Sequence, residues 1–141
     1  MQGIIHMKNS EDLEHWHFEL TEQACNHLLG LVLDGKKRAT SSSVYSFRLQ
    51  GMKIPETGDL SVITDWDGHP RCVIRTTAVS ILPYKDITFE LAVLEGEDDT
   101  LDSWKLNHER FFREEGRELG YPFTETMDIV FEEFEVVETM E

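Results

Sequence analysis

The sequence predicts an α+β domain, a small mixed or closed β-sheet with helices inserted between its strands. Three observations carry this reading. Thr21–Asp34 and Leu101–Arg117 repeat apolar residues at three- and four-residue spacing, the pattern of amphipathic helices. Other stretches, of which Arg71–Leu82 is the longest, alternate with the period of a half-buried strand. The chain has 141 residues, 40 % hydrophobic and 29 % charged, which is enough for one core and too little for two. Residues 1–141 are therefore read as a single domain.

The elements follow in order. Thr21 can cap the first helix, with Glu22 placed favourably for the helix dipole, and Gly35 stops it. Ala24, Cys25, Leu28, Leu29, Leu31 and Val32 form its apolar face, so Cys25 reads as a small core residue. Ala39–Ser43 and Val44–Leu49 are rich in β-formers and read as extended chain. Pro55–Gly58 reads as a turn, Asp59–Thr64 as a strand, Asp67-Gly68 as a hairpin turn, and Arg71–Leu82 as a strand ended by Pro83. Thr88–Leu94 is a short helix. A longer one starts after Thr100 and carries Leu101, Trp104, His108, Phe111 and Phe112 near one face. The last strand alternates from Met127 to Val136 with a change of phase near Glu132-Glu133, which predicts a β-bulge there and an acidic outer side.

Charge narrows the functional classes. The net charge is −15; residues 1–85 hold 9 Lys/Arg against 10 Asp/Glu, whereas residues 86–141 hold 4 against 18. Broad phosphate-backbone binding needs a basic face, so long duplex DNA is excluded as a partner. Lys36, Lys37, Arg38, Arg48, Lys53, Arg71 and Arg75 leave room for a local basic site. No apolar run is long enough to span a bilayer, and the segment from Met1 to Lys8 lacks the pattern of a secretion signal. With two cysteines, a reduced, cytoplasmic protein without membrane attachment is expected.

The densest polar constellation is Gly35-Lys-Lys-Arg-Ala-Thr-Ser-Ser-Ser43, where a helix ends, three cations follow and a hydroxyl run enters a strand. It lacks the spacing of a phosphate-binding P-loop. Lys37 and Thr40 stand three apart across a turn, and a desolvated lysine can act as base toward a hydroxyl. The bland alternative is a helix terminus whose cations favour the dipole.

Leu33-Asp-Gly-Lys-Lys-Arg-Ala-Thr-Ser42 resembles the GxKxxT signature of the ASCH domain family. The likeness continues through Pro55-Glu-Thr-Gly-Asp59, Arg71–Thr77, Glu95-Gly-Glu-Asp-Asp99, Trp104…His108 and Phe111-Phe112, covering roughly residues 14–137. It is similar to a longer bacterial branch with a leading Trp, here Trp16, and an EGE motif before a Trp-x-x-x-His helix. The resemblance implies a PUA-like small β-barrel, of about five to six strands with flanking helices, around a cleft that handles RNA or nucleotides. One shorter branch hydrolyses the amide of N4-acetylcytidine with a Lys, a Thr and a Glu. Carried over by motif, these are Lys37, Thr40 and Glu97, with Glu95 as the alternative carboxylate. In that reading Thr40 attacks the acetyl carbonyl, and Lys37, neutral in part through desolvation, takes its proton. Glu97 orients Lys37 or protonates the leaving amine, while Arg38, Arg75 or an amide near Ser41 stabilises the oxyanion. The hydroxyl run after Thr40 departs from a pattern that has an Arg there, and the shorter branch lacks the Trp-led segment.

Trp16, Lys36, Arg38, Ser41, Ser42, Tyr45, Arg75 and Glu95 complete the expected ligand-binding set. Trp66, Trp104 and Tyr45 are further aromatics able to stack a base, although the helical spacing of Trp104 suits a core position. His15, His17, His69 and His108 show no convergent metal spacing, and Glu95–Asp99 reads as a solvated loop before a helix more readily than as an oxygen-donor cation site. Neither metal nor cofactor is expected. The expected partner is a nucleoside-like small molecule or a short single-stranded RNA, and a homodimer is compatible with the sequence. A non-catalytic RNA or nucleotide-binding module is the alternative to a hydrolase; a ribonuclease, for which no His pair stands in one motif, ranks third.

Overall fold

The computed structural model describes residues 12–140, so the reading of the first eight residues lies outside the described part. Five strands, β1 (Glu14–Trp16), β2 (Ala39–Ser43), β3 (Leu60–Thr64), β4 (Pro70–Pro83) and β5 (Asp128–Thr139), form one sheet in the order β1-β3-β4-β5-β2. β1 and β3 run parallel, and the other neighbours are antiparallel. The two long strands curl the sheet into a half-barrel, with β1 and β2 at its edges. Among the described residues four α-helices flank it: α1 (Glu22–Leu33), α2 (Val44–Leu49), α3 (Phe89–Ala92) and α4 (Leu101–Leu119). The α+β class and the small curled sheet with flanking helices are thus as expected.

Local chemistry explains the boundaries. The Thr21 and Thr100 hydroxyls accept hydrogen bonds from the Ala24 and Ser103 amides and so cap α1 and α4. Gly35 and Gly120, at φ of 79° and 96°, let the chain leave both helices in the left-handed region. The extended chain expected after Ser43 is not found. Val44–Leu49 is a helix, because β2 ends at Ser43 and the Ser43 hydroxyl accepts from the Ser46 amide, making a helix cap out of the last residue of the strand.

The expected irregularity near Glu132-Glu133 is present, but the extra residue is Thr77 of β4, between Thr76, paired with Phe134, and Ala78, paired with Glu133. A second slip lies further along, where Val73 pairs with Glu138 and Ile74 with Val136. The outer side of β5 is not uniformly acidic surface either, since Glu132 is buried.

Two cores hold the sheet. One packs Trp104 and Phe112 of α4 with Tyr84, Ile129 and Phe131. The other packs Leu28, Leu29 and Val32 of α1 against Ile63, Ile74 and Phe134. Cys25 and Cys72 are buried free thiols; burial pushes Cys72 up to about 11, which suits packing rather than reactivity. No helix among the described residues is long and apolar enough to cross a membrane.

Candidate active site

Two loops meet where the cores adjoin. After Gly35 the chain turns so that the Lys36 and Lys37 amides both reach the Leu31 carbonyl. The Arg38 amide then donates to the Leu94 carbonyl at 2.8 Å, and the Arg38 carbonyl accepts from Phe134 at 3.0 Å. This clamps the entrance of β2 between β5 and the segment that carries Glu95 and Glu97. Gly96 completes the fit: its φ is +71°, and a Cβ there would collide with the Lys36 carbonyl. The turn at Gly96 delivers the carboxylates of Glu95 and Glu97 to one ammonium, although Lys37 lies some sixty residues away in sequence.

Lys37 is 2 % exposed, and its Nζ has three acceptors: the Ala39 carbonyl at 2.9 Å, Glu95 Oε1 at 3.1 Å, and Glu97 Oε2. An ammonium has three hydrogens, so all are engaged. Burial pulls the lysine pKa down, but Glu95 and Glu97 outweigh it and raise the pKa above the ordinary value. Lys37 therefore holds its proton. This corrects the expectation of a partly neutral amine, which counted desolvation without the two facing carboxylates.

Glu95 is 1 % exposed and saturated with donors. Oε1 accepts from Lys37 and from His108 Nε2 at 3.1 Å; Oε2 accepts from the Ser41 hydroxyl at 2.6 Å and the Trp104 indole at 3.1 Å. Burial pushes this carboxyl up, yet Lys37 and His108 more than reverse it, and the pKa falls far below the ordinary range. The other nitrogen of His108, Nδ1, faces the Trp104 carbonyl at 2.8 Å. Both ring nitrogens thus face acceptors, which the imidazolium alone satisfies. Its raised pKa agrees: burial lowers it, and Glu95 more than compensates.

Glu97 differs. Its side chain is 16 % exposed, its one hydrogen bond among the described residues comes from Lys37, and burial raises its pKa although Lys37 opposes this. Of the two carboxylates, Glu97 is the one with an oxygen left to accept a proton. Both glutamates flank the lysine: Glu95 is buried and anchors the cluster, and Glu97 is the more exposed of the two.

The cluster walls a hollow of about 210 Å³, lined also by Phe18, Thr40, Ser41, Asn107 and Phe111. The Lys37 ammonium sits 5.4 Å from the centre of the Phe18 ring. No hydrogen bond to a described residue engages the Thr40 hydroxyl. Asp98 Oδ1 accepts from Asn107 and from Ser103, fixing Asn107 at the edge of the hollow.

Thus Lys37, Thr40, Ser41, Glu95 and Glu97 come together. Ser42 and Trp16 line an adjoining hollow instead, with the Trp16 indole donating to the Ser61 hydroxyl at 3.0 Å. Lys36, Arg38, Tyr45 and Arg75 line neither. Lys36 and Arg38 are exposed, Tyr45 stacks on Tyr121, and Arg75 pairs with Glu135 across β4 and β5 at 2.9 Å. Neither arginine is therefore in place to stabilise an oxyanion. Glu95–Asp99 is not simply a solvated loop, since it supplies the buried half of the cluster.

Trp104, whose helical spacing suits a core position, and His108 on the same helix face are both buried, and each also donates to Glu95. Their spacing of four on one helix face toward an acidic motif was the available signal. Oxygen and nitrogen atoms of Glu95, Glu97 and His108 lie within 4.8 Å of one another, a spacing that also suits a metal, but the Lys37 ammonium already bonds both carboxylates there. Asp65, Asp67 and His69 form a second such group on the exposed β3–β4 turn.

The fold and site define a class: a half-barrel α+β domain whose cleft holds a lysine clasped by the glutamates of one short loop. The ASCH domain family model matches residues 14–138, and the chain belongs to that family. It is similar to the ASCH domain from Lactobacillus crispatus JV V101, at 38 % identity, with 89 % of this chain and 80 % of that one covered and a TM-score of 0.79. A protein of Enterococcus faecalis V583 is similar at 35 % identity, with 89 % and 77 % covered and a TM-score of 0.82. No curated protein matches the chain.

Proposed function

We propose that this protein is an amidohydrolase for an acylated nucleoside of the N4-acetylcytidine kind. The observation that supports it most is the one hollow lined by Thr40, by the buried Lys37 and by Glu97, the carboxylate with an unsaturated oxygen. In this reading Glu97 is the base, because Lys37 has no lone pair to offer. The Thr40 proton passes to Glu97 as the oxygen bonds to the acyl carbon; protonated Glu97 no longer holds its Lys37 N–H, which turns to the oxygen that receives the carbonyl electron pair. As the carbon–nitrogen bond breaks, Glu97 returns the proton to the leaving amine. Water, deprotonated by Glu97, then adds to the acyl carbon of the Thr40 ester; as the ester C–O bond breaks, Glu97 returns that proton to the Thr40 oxygen and the acid leaves. Glu95, His108 and Trp104 act through Lys37 by holding the ammonium in place.

Acetate release from N4-acetylcytidine tests the reading. Wild type releases acetate, and Thr40→Ala and Glu97→Gln each lose at least about a hundredfold in rate, the usual weight of a nucleophile or acid–base group. No release by wild type, or undiminished release by Thr40→Ala, overturns it. Saturable binding of the nucleoside without acetate would favour the non-catalytic nucleoside or RNA module. Two histidines line the hollow, His27 and His108; the second has both nitrogens committed to acceptors, so the ribonuclease reading lacks a pair of free imidazoles there.

A further inference from the structure

A second hollow, of about 450 Å³, adjoins the first and has a volume in the range of small-molecule sites. Phe18, Glu19, Thr40, Ser41 and Phe111 line both, with Glu19 held by Arg110. The reaction proposed above leaves the second hollow unused.

Its floor is Glu132, the register partner of Thr40 across β2 and β5, so the two side chains share one face of the sheet. Glu132 is 8 % exposed. One of its oxygens accepts from the Thr76 hydroxyl at 2.7 Å; no described residue donates to the other. Glu14 and Asp59 stand around the same space. Burial raises the Glu132 pKa, and the facing charges of Glu14 and Asp59 add to it. A buried carboxylate among others of like charge is costly unless a cation meets it.

The described cations do not meet it. Lys53 lines the hollow, but its side chain is 69 % exposed and its amine lies 3.6 Å from Glu56 and 3.9 Å from Asp59. Arg75 is engaged by Glu135 on the other side of the sheet. The walls add aromatic surface: Trp16, held by its bond to Ser61, and Phe47. The negative faces of such rings favour a cation and the alkyl chain next to it.

We infer that the second hollow binds a small organic amine, a polyamine or alkylammonium, whose ammonium meets Glu132 and whose methylenes lie on Trp16 and Phe47. Anions are repelled from this space, and a neutral polar molecule leaves its carboxylates unmatched.

Calorimetric titration of the full chain with spermidine, at near-physiological salt, tests this; 1,4-butanediol is the uncharged control. Wild type gives a saturable heat with spermidine and none with the diol. Glu132→Gln keeps the volume and a partner for Thr76, so it folds, and it weakens spermidine binding at least about tenfold, the loss of one buried ionic contact. Trp16→Leu weakens it too. Glu90→Gln removes an exposed carboxylate elsewhere and leaves it unchanged. Absence of saturable binding, equal binding by Glu132→Gln, or an equal loss in Glu90→Gln overturns the inference; the last outcome would mean diffuse attraction to an acidic surface. The heat is read without any acylated nucleoside, so its result is independent of acetate release.

Discussion

Replacing Lys37 by Met removes the cation on which the site is built while nearly keeping the buried volume. Glu95 then retains His108, Ser41 and Trp104 as donors, but Glu97 faces it with no cation between them. Removing one partner of a buried ion pair costs roughly 3–5 kcal/mol. Because His108 still faces Glu95, the lower end applies, about 3 kcal/mol, or a fall in Tm of roughly 10 °C for a domain of this size. The cost depends on pH with a definite sign. Glu95 has a folded pKa below its ordinary 4.5, so its contribution is full above that value and is lost as the pH falls through the folded pKa. Lys37 is raised above 10.5, so its contribution is full below that and fades only at higher pH. In Lys37→Met the carboxyls lose the cation that held their protons off, and acid neutralises them sooner. Urea unfolding followed by circular dichroism at about pH 7 and about pH 4 should show the full gap between variant and wild type at the first and a smaller one at the second. A gap below about 1 kcal/mol at neutral pH, or one undiminished in acid, would refute the picture of a clasped ammonium.

Three further outcomes follow from the same geometry. Gly96→Ala meets both a left-handed φ of +71° and the Lys36 carbonyl, so thermal unfolding should show a loss of about 1–3 kcal/mol, with acetate release falling as the carboxylates shift. His108→Gln removes a group whose folded pKa lies above 6.5; its stabilisation is full below that value and fades as the pH rises through the folded pKa. The stability difference between wild type and this variant should therefore be larger near pH 6 than near pH 9, where stability curves in urea measure it. Thr100→Ala removes the cap of α4 and should cost about 1 kcal/mol in thermal unfolding, with little effect on acetate release.

Much of the scaffold was legible because local signals agreed. Thr21 and Thr100 cap the helices they were expected to cap, and the alternation of Arg71–Leu82 is the centre of the longest strand. Val44–Leu49 misled because aromatic and β-branched residues suit strands, whereas the outcome was decided by one serine hydroxyl serving as a helix cap. Of the candidate site, the motif pointed to Lys37, Thr40 and both glutamates, which line one hollow. It missed the charge state of Lys37, which is set by carboxylates some sixty residues away, and the second task of His108, whose helical spacing reports burial but not which group it meets there. Arg38 and Arg75 looked functional by charge alone, but the sheet turns one to solvent and gives the other to Glu135.

The most direct measurement is a crystal structure of Thr40→Ala soaked with N4-acetylcytidine, the variant chosen so that the ligand survives. The account predicts the acetamide carbonyl in the hollow between Lys37 and Glu97, with its carbon where the Thr40 hydroxyl would reach it. An intact nucleoside bound away from that hollow, or no nucleoside bound at all, would contradict it.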